Sequence, residues 1–330
     1  MTSCLAEGSD AGVRMALMLA VSARNLGGQL SSSPLRVYFA SGPDGTQRRH
    51  FQRLGAEVIL TGPLSRAAAK ARVLQDHAER GEGTLVSLEG GMAVLGDLAA
   101  EANPDALRGR PETCSPLSEE EWQAWLEFRR LPSPAKALAT TGPDSGAGAP
   151  YFSTSVLVIP KRFCHDLATS WAAQAQALSE AFSATTSTGP RLSQQARGYI
   201  DEVALACAVL ETGTPVDPLG PGCNFRPTRE FLEISGIGQV QALKAVDCRG
   251  SAGPDGFVEP SPFLPVNPDL ERLNRMTAAH LGTAYHPRRR SRPDGLVPDA
   301  AKVSATLRRY AGSAARKTAP WLLSGRRQSN

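Results

Sequence analysis

Apolar positions along the first hundred residues alternate between two rhythms. The short runs SCLAE (3–7), LRVYFA (35–40), AEVIL (56–60) and TLVSL (84–88) read as strands. Between them, GVRMALMLAVSARNLG (12–27) carries apolar residues at i, i+3, i+4 and i+7, and TQRRHFQRLG (46–55) and SRAAAKARVLQDHAER (65–80) also read as helices. Strands that alternate with helices predict an α/β fold with a mostly parallel central sheet flanked by helices. In such sheets ligands sit beyond the carboxyl ends of the strands, which puts Glu7 to Asp10, Ala40 to Asp44 and Glu89 to Gly91 along one rim.

The rhythm breaks after residue 98. A polar, Pro-bearing segment leads to the Trp-rich helix EEEWQAWLEF (119–128) and to the Gly/Pro loop TTGPDSGAGAP (140–150), a composition expected to be mobile. YFSTSVLVIP (151–160) then reads as a strand, followed by the helices RFCHDLATSWAAQAQALSEAF (162–182) and YIDEVALACAVLETG (199–213). Past PLGPGCNF the pattern weakens. The expected organisation is one domain over 1–285 and a basic, partly disordered tail over 286–330.

Composition changes this picture at a few points. A chain of 330 residues, 41% hydrophobic and 21% charged, is long enough to bury one large core or two smaller ones. It contains no uninterrupted apolar run of about 18 residues, the length a spanning helix needs. No basic segment followed by an apolar core and a cleavage site opens it, so a cytoplasmic protein is expected. Six cysteines stand singly without metal-ligand spacing and read as reduced, mostly buried thiols. The net charge of +4 is concentrated at the end of the chain, where eleven Lys and Arg residues between Arg288 and Arg327 face only Asp294 and Asp299. Such a tail is either a solvated segment or an electrostatic attachment to an anionic membrane surface or nucleic acid, with nucleic acid the weakest of these readings. No GxSxG, P-loop or GxGxxG in a convincing context supports a hydrolase, kinase or dinucleotide enzyme.

The order of four motifs resembles the nucleotide-diphospho-sugar transferases of the GT-A fold, glycosyltransferase family 8 and its bacterial relatives in particular. LEGGMAVLGDL (88–98) stands where that family has LDxD and GDL, YFSTSVLVIP where it has YFNSGVLV, DEVALACAV (201–209) where it has DQxAL, and PGCNFRP (221–227) where it has a turn ending in NF. The resemblance covers roughly residues 3 to 250. It implies a nucleotide-sugar donor and an acceptor hydroxyl on a glycan, lipid, protein or small molecule. In the family the two aspartates of DxD hold a Mg²⁺ or Mn²⁺ ion that bridges the donor diphosphate.

The departures fall on that metal site. Glu89 stands at the first aspartate and Gly91 at the second, Ser153 replaces the asparagine of YFNSG, and KAVDCRG offers Asp247, Cys248 and Arg249 where relatives carry a metal-binding histidine. Glu89 either accepts hydrogen bonds from a ribose, holds a cation together with Asp247, or is an ordinary solvated carboxylate. Gly90 and Gly91 either permit a turn with positive φ or let backbone approach phosphate. Asp201 matches the aspartate facing donor and acceptor in relatives, although acidic residues also suit a helix N-terminus. Glu7 lies on the rim, and Lys70 and Arg72 lie on the helix where relatives place a cation near the diphosphate. Arg249 is the residue expected to neutralise phosphate directly if no metal is bound. Trp122 and Trp125 either pack in the core or cover an acceptor.

Two functional readings follow. The first is a glycosyltransferase that passes a sugar from a nucleotide-sugar to an acceptor hydroxyl, metal-independent if cationic side chains replace the ion. The second is a GT-A-like protein without turnover that binds or regulates, which the eroded DxD favours and the retained Asp201 disfavours.

Overall fold

The first rhythm folds as its periodicity predicts: β1 (Thr2–Ala6), α1 (Asp10–Leu26), β2 (Leu35–Phe39), α2 (Gly45–Arg53), β3 (Ala56–Leu60), α3 (Arg66–Arg80) and β4 (Thr84–Glu89). The helices start on side-chain caps: Ser9 accepts from Gly12 N, Asp44 from Thr46 and Gln47 N, and Ser65 from Ala68 N. The computed structural model describes residues 1–112, 115–132, 150–183, 189–226, 243–249, 253, 257–259, 267–283 and 285. The Gly/Pro loop up to residue 149 and the basic segment 286–330 lie outside the described residues.

Beyond β4 come β5 (Met92–Val94), β6 (Leu107–Pro111), α4 (Glu119–Arg129), β7 (Phe152–Pro160), α5 (Lys161–Ser183), α6 (Ile200–Thr212), β8 (Val216–Pro218), β9 (Ala245–Asp247) and α7 (Asn267–Leu281). Seven of these strands form one sheet in the order β3-β2-β1-β4-β7-β6-β8. The β3-β2-β1-β4 half is parallel throughout, β7 runs antiparallel to both β4 and β6, and β8 is parallel to β6. The sheet of this mixed α/β fold is therefore mostly parallel, with its one reversed strand beside β4. β5 and β9 pair antiparallel as a separate ribbon.

Strand periodicity divides the core. Leu35, Val37, Phe39, Val86, Leu88, Val156 and Val158 face α1 and its buried Leu17, Leu19 and Ala20. Tyr38, Leu85, Leu157 and Ile159 face the opposite layer, where α3, α5 and α6 contribute Val73, Leu74, Trp171 and Leu205. Glu89 follows Leu85 and Ser87 at a spacing of two, so it belongs to the α3/α6 side. Among the described residues no helix is long and apolar enough to cross a membrane. The five described cysteines are all free and buried.

The helix α7 had no clear sequence signal, and its packing shows why. Its buried face carries Leu270, Leu273, Asn274, Thr277 and Ala278, a helical spacing in which polar Asn274 and Thr277 interrupt the apolar stripe. Asn274 is buried because its amide replaces a backbone partner: it accepts from Val258 N at 3.0 Å and donates to Val258 O at 2.7 Å.

Candidate functional site

The parallel register brings the expected rim together. Leu5 pairs with Glu89 and Ala6 with Phe39, so the ends of β1, β2 and β4 are neighbours. The charged cluster, however, forms on the β7 side of β4 rather than along the whole rim. Arg66 and Lys70, four apart, share one face of α3. Asp201 occupies the first turn of α6, a location its charge suits. On β7 the pairing with β6 jumps from Gly109↔Leu157 to Arg110↔Ser153. This irregularity allows Thr154 and Ser155 both to reach the cluster.

Glu89 lies at its centre. Lys70 Nζ sits 2.5 Å from Glu89 Oε1 and 2.6 Å from Asp201 Oδ2, bridging the two carboxylates. Arg66 donates to Glu89 and lies 3.4 Å from Asp201 Oδ2, and Ser155 Oγ donates to Glu89 Oε2 at 3.1 Å. Thr154 Oγ1 donates to Asp201 Oδ2 at 3.0 Å. Arg249 donates to Glu89 Oε2, and its Nε donates to Asp247 Oδ1 at 2.9 Å. One guanidinium thus bridges Glu89 and Asp247. A second tier adjoins it: Ser153 Oγ accepts from Asn224 Nδ2 at 3.0 Å and from Arg226 Nη2 at 2.9 Å, while Arg226 also pairs with Glu112 at 2.6 Å.

These partners set the protonation states. Burial alone raises the Glu89 pKa, but Lys70, Arg249 and Arg66 outweigh it and hold the carboxyl far below the usual range. Asp201 is likewise lowered, burial being overcome by Lys70 and Arg66. Both are anions near neutral pH. Glu202 behaves differently: burial, reinforced by Asp201 and Glu112, raises it to about 7 against the opposing hydrogen bond from Tyr151.

A cavity of about 480 Å³ opens beside the cluster, and Arg66, Asp201, Glu202, Arg226 and Arg249 are among its lining residues. The exposure of each ion-pair partner determines what it offers a ligand. The side chains of Arg66, Arg249 and Arg226 are 50%, 36% and 32% exposed, whereas Glu89 and Asp201 are each 7% and Asp247 9% exposed. The guanidinium groups of Arg66, Arg226 and Arg249 are thus the more exposed members of their ion pairs, and they line the cavity together with the carboxylates of Glu112, Asp201 and Glu202.

The donor set does not fit a divalent cation at the LEGG turn. Glu89 and Asp247, the expected ligands, are joined by the Arg249 guanidinium, and Lys70 and Arg66 add further positive charge beside Glu89. Among the described residues no group of three His, Cys, Asp or Glu side chains is arranged to hold a metal ion.

The remaining expected residues sort by geometry. Lys70, Glu89, Ser153, Asp201, Asp247 and Arg249 come together. Arg72, two residues past Lys70, is exposed on a different face of α3, and Glu7 is exposed on the rim away from the cavity. Trp122 and Trp125 belong to the core rather than to an acceptor platform, at 6% and 0% exposure. Arg66, Arg226, Glu112 and Glu202 were missed. For Arg66 the signal was its i, i+4 spacing to Lys70; Glu202 directly follows Asp201.

Gly90 and Gly91 serve close packing, for neither has positive φ. A Cβ at Gly90 meets the Ala6 Cβ at 2.9 Å, and one at Gly91 meets the Arg249 Cγ at 2.1 Å. The missing side chain at 91 is the space through which Arg249 reaches Glu89. Gly91→Ala therefore displaces Arg249 and lowers stability by about 1–3 kcal/mol, the usual range for an overpacked site. Urea denaturation checks this, and an unchanged midpoint contradicts the packing role.

No protein-family model matches the chain, and no curated protein matches it. Among solved structures it is similar to the galactosyltransferase LgtC in complex with donor and acceptor sugar analogues, at 13% identity across 87% of this chain and 97% of that one, with a TM-score of 0.48. It is also similar to the glycosyltransferase GlyE of Streptococcus pneumoniae TIGR4, at 12% identity across 85% of this chain and 62% of that one, TM-score 0.48. The bifunctional glycosyltransferase WbbM is matched at 9% identity across 76% of this chain and 45% of that one, TM-score 0.46. This chain thus spans under two thirds of GlyE and of WbbM. At such identities and TM-scores the likeness assigns neither a family nor an activity.

Proposed function

We propose that the protein is a GT-A-type, family 8-like sugar transferase that binds a nucleotide-sugar in the cavity beside Glu89 and neutralises its diphosphate with guanidinium groups in place of a divalent cation. The observation that carries this reading is the bridge of Arg249 between Glu89, at the first position of the degenerate DxD, and Asp247, in the segment where relatives carry a metal-binding histidine, on a wall shared with Arg66 and Arg226. The buried carboxylates act as internal anchors that orient the cations before a ligand arrives. Arg66 and Arg249 then receive the charge that develops on the departing diphosphate, as preorganised donors do in many group-transfer sites. Asp201, held ionised by Lys70 and Arg66, faces the sugar and stabilises positive charge at its anomeric carbon.

The second reading, a binding protein without turnover, is favoured by one observation: Glu89 and Asp201 are already matched by internal cations. Product release separates the two, because both share the binding step.

That shared step is testable by thermal shift. UDP, GDP, ADP and their sugars raise the melting temperature while the corresponding nucleosides do not; at a hundredfold excess over Kd, mass action adds about 2.7 kcal/mol. Arg66→Gln and Arg226→Gln weaken the shift. The absence of any shift at millimolar nucleotide overturns the reading.

A further inference from the structure

The two edges of the large sheet are protected differently. At one, β8 is short and ends in Pro218, and the next residue, Leu219, turns its N–H back to Gly109 O at 2.9 Å. Short strands and proline are ordinary ways of closing an edge to other chains. At the other, β3 reads AEVIL, has Glu57 as its charged residue, and pairs among the described residues with β2 alone. Leu60 at its end is 50% exposed, and Leu64 just beyond is 42% exposed. The parallel ladder fixes where the backbone of β3 points. Leu60 is in register with Phe39, and Thr61 N donates to Phe39 O at 2.9 Å, so Thr61, Ile59 and Glu57 turn their N–H groups toward β2. The N–H and C=O groups of Ala56, Val58 and Leu60 turn outward.

We propose that β3 is the surface through which the chain pairs with a second copy of itself, antiparallel about a two-fold axis at Val58. A second copy fits because the edge is self-complementary. Centred on Val58, an antiparallel pair sets Val58 against the partner's Val58 and Ala56 against the partner's Leu60, so each outward N–H meets an outward carbonyl. The small Ala56 side chain then stands opposite the large one of Leu60. Charge matches as well. The helix α2 packs on β3 and runs against it: its N-cap Asp44 follows Gly42, where a Cβ would lie 3.1 Å from Leu60 Cδ2, and its last residue, Arg53, precedes Ala56 by a short turn. The two-fold axis therefore lays exposed Arg53 beside the N-cap formed by the partner's Asp44, which is exposed too. Arg49, near the middle of α2, is drawn back by its own bond to Thr46 Oγ1 at 2.9 Å. On the opposite face Glu57 approaches the partner's Glu57 only diagonally, at about 7–8 Å. Each Glu57 is already paired with Arg36 at 2.9 Å and Arg80 at 3.6 Å.

Pairing of this kind makes one continuous sheet through both copies. Because the strands of the two copies run in opposite directions, the carboxyl ends of β1, β2 and β4, with Glu89 at the end of β4, face opposite ways. The contact is independent of what the cavity binds.

The test uses the full chain and reads its mass in solution by light scattering. At about 100 µM, where a dimer of micromolar Kd predominates, wild type has the mass of two chains, while Leu60→Lys and Val58→Pro have the mass of one. Leu60→Lys sets a charge on the apolar edge. Val58→Pro removes an outward N–H that the β2 ladder does not use. Both keep the far-ultraviolet circular dichroism of wild type. Phe128→Lys, which charges another exposed apolar residue, on α4 and 48% exposed, stays dimeric. Val58→Cys checks the axis. Facing residues of a hydrogen-bonded antiparallel pair have Cα atoms about 5.5 Å apart, within disulfide reach, so mild oxidation cross-links this variant well beyond wild type. If an edge variant loses its circular dichroism spectrum, the cross-link decides. A wild type that stays a single chain, a dimer that survives both edge variants, a dimer abolished by Phe128→Lys, or a Val58→Cys variant that does not cross-link overturns the proposal.

Discussion

Glu89→Ala destabilises the folded chain by about 3–5 kcal/mol at pH 7, because it leaves buried Lys70 and parts of Arg66 and Arg249 without their shared anion. The loss depends on pH in a defined direction. The Glu89 pKa is lowered in the folded state, so its contribution is fully present above the ordinary glutamate value of 4.5 and is lost as pH falls through the folded pKa. The gap between wild type and variant therefore narrows below about pH 4 and is constant between roughly pH 6 and 8. Urea denaturation at pH 7 and pH 3.5 measures both. A variant within 1 kcal/mol of wild type at pH 7 shows that the cluster does not depend on Glu89.

Lys70→Met has an effect of similar size, about 3–5 kcal/mol, for the complementary reason. Lys70 is 4% exposed and joins Glu89 to Asp201, and its removal brings two buried carboxylates together with less compensation. Asp201 suffers most, retaining Arg66 at 3.4 Å and the Thr154 hydroxyl. Methionine fills most of the lost volume, which limits the cavity cost. Since Glu89 and Lys70 act as one unit, the double variant loses less than the sum of the two single losses, with a coupling of about 0.5–3 kcal/mol. Additivity within error contradicts the bridge.

The parallel half of the sheet was readable because each strand is a continuous apolar run and each helix carries a stripe and a cap: AEVIL is β3 residue for residue. β6 was not readable. Its sequence LRGRP holds two arginines, a glycine and a proline, and it becomes a strand through pairing with β7 and β8. At three residues each, β5, β8 and β9 are too short for period 2 to show. The centre of the site was legible from motif order, which singled out Glu89, Asp201, Asp247 and Arg249. Its electrostatics were not. That Arg249 passes over Gly91, and that Arg66 rather than Arg72 turns toward Glu89, depends on the joining of α3, β4 and the segment after β9 across long stretches of chain. Glu202 was hidden in plain order, since an acid beside Asp201 reads as part of a helix first turn until the cavity shows which way it faces.

The central claim, that guanidinium groups stand in for a metal ion at the diphosphate, is tested most directly by calorimetric titration of the nucleoside diphosphate that gives the largest melting shift. Binding is measured in excess chelator and again with Mn²⁺ or Mg²⁺ in place of the chelator. The account predicts a Kd that agrees within about threefold between the two conditions, a difference of roughly 0.65 kcal/mol or less, with binding weakened by added salt as expected for charge pairing. Binding that appears with the divalent ion and vanishes in chelator contradicts it, and assigns the diphosphate to a metal after all.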